Sequence, residues 1–178
     1  MIRNAHQSGT VTSSIVFSYD GRQVATRGGD DTLKLWDIRQ TKQAVHSAGD
    51  LYSQFAMTDC CFSPDDRLLM TGTSFKKGES GGRVVFHDRN TFEKVYEINV
   101  AKSHVVRSLW HPKLNQIVLG GGDGNIHIYF DADKSHRGAK LCMAKPKKRI
   151  RAVSLTLNHE IDGEFPVFIF TLFACHHS

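Results

Sequence analysis

GGDDTLKLWDIRQ, residues 28–40, is a Gly/Asp turn running into an alternating strand that stops on Trp36-Asp37, with Arg39 just outside. Side chains alternate across a pleated strand, so Leu33 and Leu35 share one side of it. The glycines and aspartates in front are the residues a tight turn between strands needs. The stretch reads as one strand of an antiparallel sheet, and its surroundings decide which kind of sheet.

The same layout occurs in SSIVFSYDGRQVATRGGDDTLKLWD (13–37), TDCCFSPDDRLLMTGTSFKKGESGGRVVFHD (58–88) and VRSLWHPKLNQIVLGGGDGNIHIYF (106–130). Each opens with a short apolar strand ending on an aromatic, Phe17, Phe62 or Trp110, then passes through a turn (SYDG, SPDD, HPKL) into a second strand. A Gly-rich turn leads to the alternating third strand, TLKLW, RVVFH or NIHIY. The first-strand aromatics are 45 and 48 residues apart. In the first and third repeats that aromatic lies 19 residues before Trp36 or Tyr129, whereas the second needs 25 to reach His87. Its six extra residues fall in the second turn, within SFKKGES, where a repeat tolerates insertion. A more irregular fourth strand is expected in KQAVHSA, FEKVYEIN and AKLCMA.

Four short strands per unit, at a period of about 40–50 residues, read as the blades of a β-propeller. The third strands are predicted to bury Leu33 and Leu35, Val84 and Phe86, and Ile126 and Ile128. A helical solenoid shares this period, but it does not alternate with period two or break at Gly/Asp turns every 8–10 residues or so. The predicted fold is all-β, with a propeller domain over 1–145 (blades at about 6–50, 58–100 and 104–145) followed by a basic linker and atypical apolar tail over 146–178. Three blades cannot close a ring, since propellers use about four to eight. The chain is therefore expected to be the C-terminal part of a larger propeller.

Composition agrees with a folded domain: 178 residues, 40% hydrophobic and 23% charged, with a net charge of +5. MIRNAHQSGTVTSS has no apolar core of the signal-peptide kind. The longest apolar run, FPVFIFTLFA at 165–174, falls short of the roughly 20 residues needed to span a bilayer. No membrane association is expected. Cys60, Cys61, Cys142 and Cys175 show no zinc-ligand spacing and suit a reduced intracellular compartment.

The SYDG turn and GGDDTLKLWD together resemble a WD repeat, so the fold expected is a partial WD-repeat β-propeller of about three four-stranded blades. In such repeats a histidine before the first strand, a Ser/Thr on the second, a turn aspartate and the tryptophan form a hydrogen-bonded chain. The resemblance puts these roles on His6, Thr26, Asp30 and Trp36. The second repeat has His87 in the tryptophan slot and no turn aspartate. The third keeps Asp123, six residues before Tyr129, but lacks the histidine at the expected distance. IRNAHQSGT, TRGGDDTLKLWDIRQ, MTDCCFSPDD, LWHPKLNQI and KSHRGAKLC further resemble the gastrulation-defective type of WD-repeat protein, over roughly residues 1–145. From about residue 150 the apolar ending departs from that type, and a truncated or mis-assembled end is the expectation. The resemblance implies a nuclear scaffold that binds proteins, associates with chromatin and acts in the processing of DNA double-strand breaks.

Trp36-Asp37-Ile38-Arg39 has two readings. It is the end of a strand with a solvated arginine. Alternatively, Asp30, Leu33, Leu35, Trp36, Asp37 and Arg39 together resemble the box through which substrate receptors dock on the adaptor of cullin–RING ubiquitin ligases, with Asp37 and Arg39 as a charged pair facing the partner. KPKKRIR, 145–151, likewise reads as a solvated linker or as a functional patch. The functional patch would be a nuclear-import signal or a phosphate-contacting surface carried by Lys147, Lys148, Arg149 and Arg151. A nucleic-acid-binding module using this segment is thus the rival to the scaffold. GGGDG at 120–124 has no following lysine of the P-loop kind and reads as a turn. No G-x-S-x-G nucleophile turn occurs, and the ten histidines are scattered. No catalytic residue, cofactor, metal or small-molecule substrate is expected.

Overall fold

A computed structural model describes residues 2–131, 133–139 and 141, together with the backbone of 167–173. It contains three four-stranded antiparallel sheets. The first is β1 (Thr12–Phe17), β2 (Gln23–Gly28), β3 (Leu33–Asp37) and β4 (His46–Ala48), paired in that order. The second is β5 (Cys60–Phe62), β6 (Leu68–Gly72), β7 (Gly81–Asp88) and β8 (Lys94–Ala101). The third is β9 (Val105–His111), β10 (Gln116–Gly121), β11 (Asn125–Asp131) and β12 (Val167–Phe173).

Register makes the sheets superimposable. Val24 opposes Trp36, Leu69 opposes His87 and Ile117 opposes Tyr129, so these last three residues occupy one position in three blades. The first strands β1, β5 and β9 touch one another in series and form the inner side of the array. Period two then divides each sheet between two cores. On the middle blade, Cys60, Phe62, Leu69 and Val85 pack with Ala25, Leu33 and Leu35 of the first blade. Their neighbours Met70, Val84 and Phe86 point the other way and pack with Val105, Leu119 and Tyr129 of the third. Adjacent cysteines obey the same rule. Cys60 is in the first core and Cys61 lies against the second, and burial pushes their thiols up to about 12 and about 11.

Two expectations are corrected. Ile126 is 42% exposed, and Ile128 is only partly buried, while His127, Tyr129 and Phe130 are the buried members of that strand. The isoleucines do match Leu33 and Leu35 in register, but they face away from the middle blade, where no further sheet covers them among the described residues. The fourth strand expected in AKLCMA is also elsewhere. Ala139 and Leu141 lie in a helical turn, and Val167–Phe173 pairs with β11 along its whole length. A stretch read as an atypical tail thus supplies the outer strand of the third sheet. Two helical positions and a strand of Val, Phe, Ile, Thr and Leu follow local propensity, which a fixed repeat period overlooks.

Candidate functional site: the first blade and its rim

His6, Thr26, Asp30 and Trp36 form one chain of hydrogen bonds. The Trp36 indole N–H donates to Thr26 Oγ1 at 2.9 Å, and Thr26 Oγ1 is 2.9 Å from His6 Nε2. His6 Nδ1 is 2.9 Å from Asp30 Oδ1. Asp30 is an acceptor, so Nδ1 carries the proton and Nε2 receives the threonine hydroxyl. The imidazole is neutral: burial lowers its pKa from the ordinary 6.5, outweighing the attraction of Asp30. Burial alone would raise the Asp30 carboxyl, but donors from Thr32, the Gln7 backbone and His6 hold it at about 2. A Cβ on Gly28 would overlap His6 Nδ1 and Asp30 Oδ1, so this chain closes only over a glycine.

The third blade keeps the same plan with one substitution that a distance search misses. Ser103 Oγ donates to Asp123 Oδ1 at 2.8 Å, and a Cβ on Gly121 would overlap both groups. Ser103 therefore stands in the histidine slot. It lies seven residues before Trp110, whereas His6 lies eleven before Phe17. In the middle blade His87 occupies the tryptophan position and is buried. Its Nδ1 is 3.1 Å from the Phe92 carbonyl, which fixes the proton on Nδ1, and burial again lowers its pKa.

Asp37 and Arg39 sit where β3 leaves the sheet. The Arg39 backbone N–H donates to Asp37 Oδ1 at 2.8 Å, and the Ile38 N–H donates to the Arg22 carbonyl. Asp37 thus shapes a turn and forms no ion pair with the Arg39 guanidinium. A short carboxylate side chain reaches the backbone two residues on more readily than a long, solvated arginine head. Arg39 itself is exposed, with no side-chain hydrogen bond or ion pair among the described residues. KPKKRIR lies outside the described residues.

The rim beside Arg39 is held by a clamp absent from the sequence reading. Arg89 follows Asp88 at the end of β7, where the first blade has Ile38. Its Nη2 is 2.8 Å from Asp20 Oδ2, its Nε donates to Gln23 Oε1 at 2.6 Å, and its Nη1 is 3.3 Å from Asp66 Oδ2. The Asp66 carboxylate accepts the backbone N–H groups of Tyr19 and Asp20, at 2.9 Å each. The Ser18 hydroxyl, the Arg22 N–H and Arg89 hold the Asp20 carboxyl well below the ordinary carboxylate range. The only sequence sign of this clamp is the recurrence of aspartates in the SYDG and SPDD turns.

The WD domain, G-beta repeat family matches residues 1–37, the span of the His6–Thr26–Asp30–Trp36 chain. Residues 1–37 are thus a WD repeat. The chain is 55% identical over 160 residues to WD repeat-containing protein 70 of Xenopus tropicalis, covering 89% of its own length and 26% of that protein. It is 51% identical over 148 residues to the Gastrulation defective protein 1 homolog of Drosophila melanogaster, covering 83% of itself and 23% of that protein. It thus spans about a quarter of the length of these curated relatives. Among solved structures, the WD40 repeats of RRP9 superpose with a TM-score of 0.57 at 12% identity, over 75% of this chain and 39% of that one. The fold is a WD-repeat β-propeller architecture, and such propellers are typically non-catalytic interaction scaffolds. Among the described residues, no group of three His, Cys, Asp or Glu side chains is placed to hold a metal ion.

Proposed function

We propose that this chain is part of a nuclear, non-catalytic scaffold that docks on the adaptor of a cullin–RING ubiquitin ligase and works at chromatin in double-strand-break processing. The observation that carries the docking site is the contrast at Arg39. Its guanidinium is exposed and unpaired among the described residues, yet the backbone beneath it is fixed by Asp37, and the turn beside it by Arg89 and Asp66. A planar, permanently charged group on a rigid mount is the kind of residue that becomes an interface hot spot. The resemblance of the Asp30–Arg39 box to ligase receptors supplies the partner class.

The test is adaptor binding by the full-length protein carrying this segment. Arg39→Ala is expected to weaken it about 30-fold or more, the equivalent of a hot-spot arginine worth about 2 kcal/mol. Undiminished binding would return Arg39 to ordinary surface. The rival reading, direct nucleic-acid binding through Lys147, Lys148, Arg149 and Arg151, rests on the charge run itself. It requires binding that falls steeply with salt and disappears when those residues become alanine.

A further inference from the structure

The gaps between successive blades are built alike but filled differently. Between the first and middle blades the gap is closed by Phe92, whose ring stacks 5.4 Å from His46 on β4 and 5.3 Å from His87 on β7. Phe92 ends a turn in which Asp88 Oδ1 accepts the N–H groups of Asn90 and Thr91, and the Asp88 carbonyl accepts that of Phe92. The third blade repeats the turn. Asp131 Oδ1 accepts from Asp133 and Lys134, and its carbonyl accepts the N–H of Ser135. The strand register sets this turn one residue later, since Phe130 is the position that matches Asp88, and Ser135 closes it with a hydroxymethyl where Phe92 closes the other with a phenyl ring.

The flanking positions correspond as well. Leu35 opposes His46 as Phe86 opposes Tyr96, so Tyr96 takes the place of His46. Tyr129 takes the place of His87. Both partner rings are thus present, and among the described residues no ring stacks between them as Phe92 does. In its place is an open cavity of about 610 Å³ walled by Phe86, Tyr96, Trp110 and Tyr129. Trp110 meets Phe86 edge-on at 5.8 Å, so the walls are already set against one another. Asp65 and Asp131 line the same cavity, with Lys134 as the one opposing charge in its lining.

We propose that this groove, one blade on from the Arg39 rim, receives an aromatic side chain presented by a partner polypeptide, with a basic residue beside it. The incoming ring packs between Tyr96 and Tyr129 as Phe92 packs against His46 and His87. Offset and edge-on aromatic contacts reward a ring over an aliphatic chain. The neighbouring cation meets Asp131 and Asp65, the latter shared with the exposed Arg67 guanidinium at 3.8 Å. The site does not depend on Arg39 or on ligase docking.

The probe is acetyl-Lys-Phe-Arg-amide, titrated into the 178-residue chain and followed by the indole N–H resonances. The chain has two tryptophans, so Trp110 reports the groove while Trp36, inside its hydrogen-bonded chain, is the internal control. The Trp110 signal is expected to shift and saturate while that of Trp36 stays put. Acetyl-Lys-Ala-Arg-amide should bind about tenfold more weakly or worse. Ser135→Phe should fill the groove and abolish the response. Because Ser135 is buried and hydrogen-bonded, Val95→Arg is the second variant. Val95 is exposed on the groove wall, so an arginine there should block and repel the probe at an unchanged melting temperature. Equal shifts with the alanine peptide, an unmoved Trp110, or full binding by Val95→Arg would overturn the proposal. So would binding of a trimethyllysine peptide in place of the phenylalanine one, which would make the groove a cation cage.

Discussion

Trp36 is 4% exposed, and its one polar atom is committed to Thr26, whereas Arg39, three positions on, touches solvent. The same short segment thus holds a residue whose loss is felt in folding and one whose loss is felt only in binding. Trp36→Ala removes a buried ring and leaves Thr26 without its donor, so it should destabilise the fold by about 3–5 kcal/mol. Arg39→Ala breaks no side-chain hydrogen bond or ion pair among the described residues and should alter stability by no more than about 0.5 kcal/mol. Chemical melts of both variants, beside adaptor binding on the same samples, separate the two roles. A large stability loss in Arg39→Ala would mean that the arginine serves the fold. The four-residue chain around Trp36 was legible in the sequence because a histidine, a threonine, an aspartate and a tryptophan can be matched to known spacings. Ser103 was not legible, because its loop is four residues shorter and a serine carries no such signature. Arg89 was hidden for a different reason, since its partners Asp20, Gln23 and Asp66 come together only when two blades are side by side.

Strands with clear alternation between turns were predictable in place and length, and so was the site of the insertion. The turn of residues 73–80 is where the middle repeat is longer. What the sequence does not disclose is that this insertion is a packed element. Phe75 stacks on His104 with centroids 4.0 Å apart, the Ser74 N–H donates to the Tyr52 carbonyl, and Ser74 Oγ accepts the Gln54 N–H. It ties the middle blade to the loop that leads into the third, beside Ser103. Phe75→Ala should therefore cost about 0.5–1.5 kcal/mol beyond the lost burial and raise hydrogen exchange in residues 102–104 as well as in the turn itself. Exchange confined to residues 74–80 would mean the stack has no mechanical role. The outer strands were the least legible elements. Only a partner on one side defines them, so KQAVHSA keeps a three-residue strand, and the third sheet takes its outer strand from 167–173.

Two consequences belong to the array as a whole. The first is pH. Burial lowers the pKa values of His6, His87 and His127 below the ordinary 6.5. The unfolded chain then takes up protons that the folded one refuses, so stability is full above 6.5 and falls as the pH drops below it. Burial raises Asp59, which acts in the opposite sense but only nearer its own ordinary value of 3.8. Urea melts at pH 7.5 and 5.5 should show a lower midpoint at 5.5, with a smaller drop in His87→Leu. A flat response would mean that these imidazoles accept protons while folded.

The second consequence concerns the two uncovered faces. On the first blade, Val16 packs inward, so Ile15 and Phe17 point outward and are 66% and 63% exposed. On the third, Trp110 and Ile117 pack inward, leaving Leu109 and Ile126 55% and 42% exposed. Clustered apolar side chains on a sheet face mark a contact surface. Within the chain, each face of the first kind already meets one of the second kind at both blade junctions, so two copies can meet head to tail in the same way. Such a contact is heterologous, and it lets copies add in series unless the ring closes. Sedimentation of the 178-residue chain should therefore show concentration-dependent association, weakened by Ile15→Lys or by Ile126→Lys alone, because one charged face spoils every junction. Both residues are exposed, so melting should move by no more than about 0.5 kcal/mol. A chain that stays monomeric at high concentration, or lysine variants that associate as well as the parent, would show that these faces do not meet.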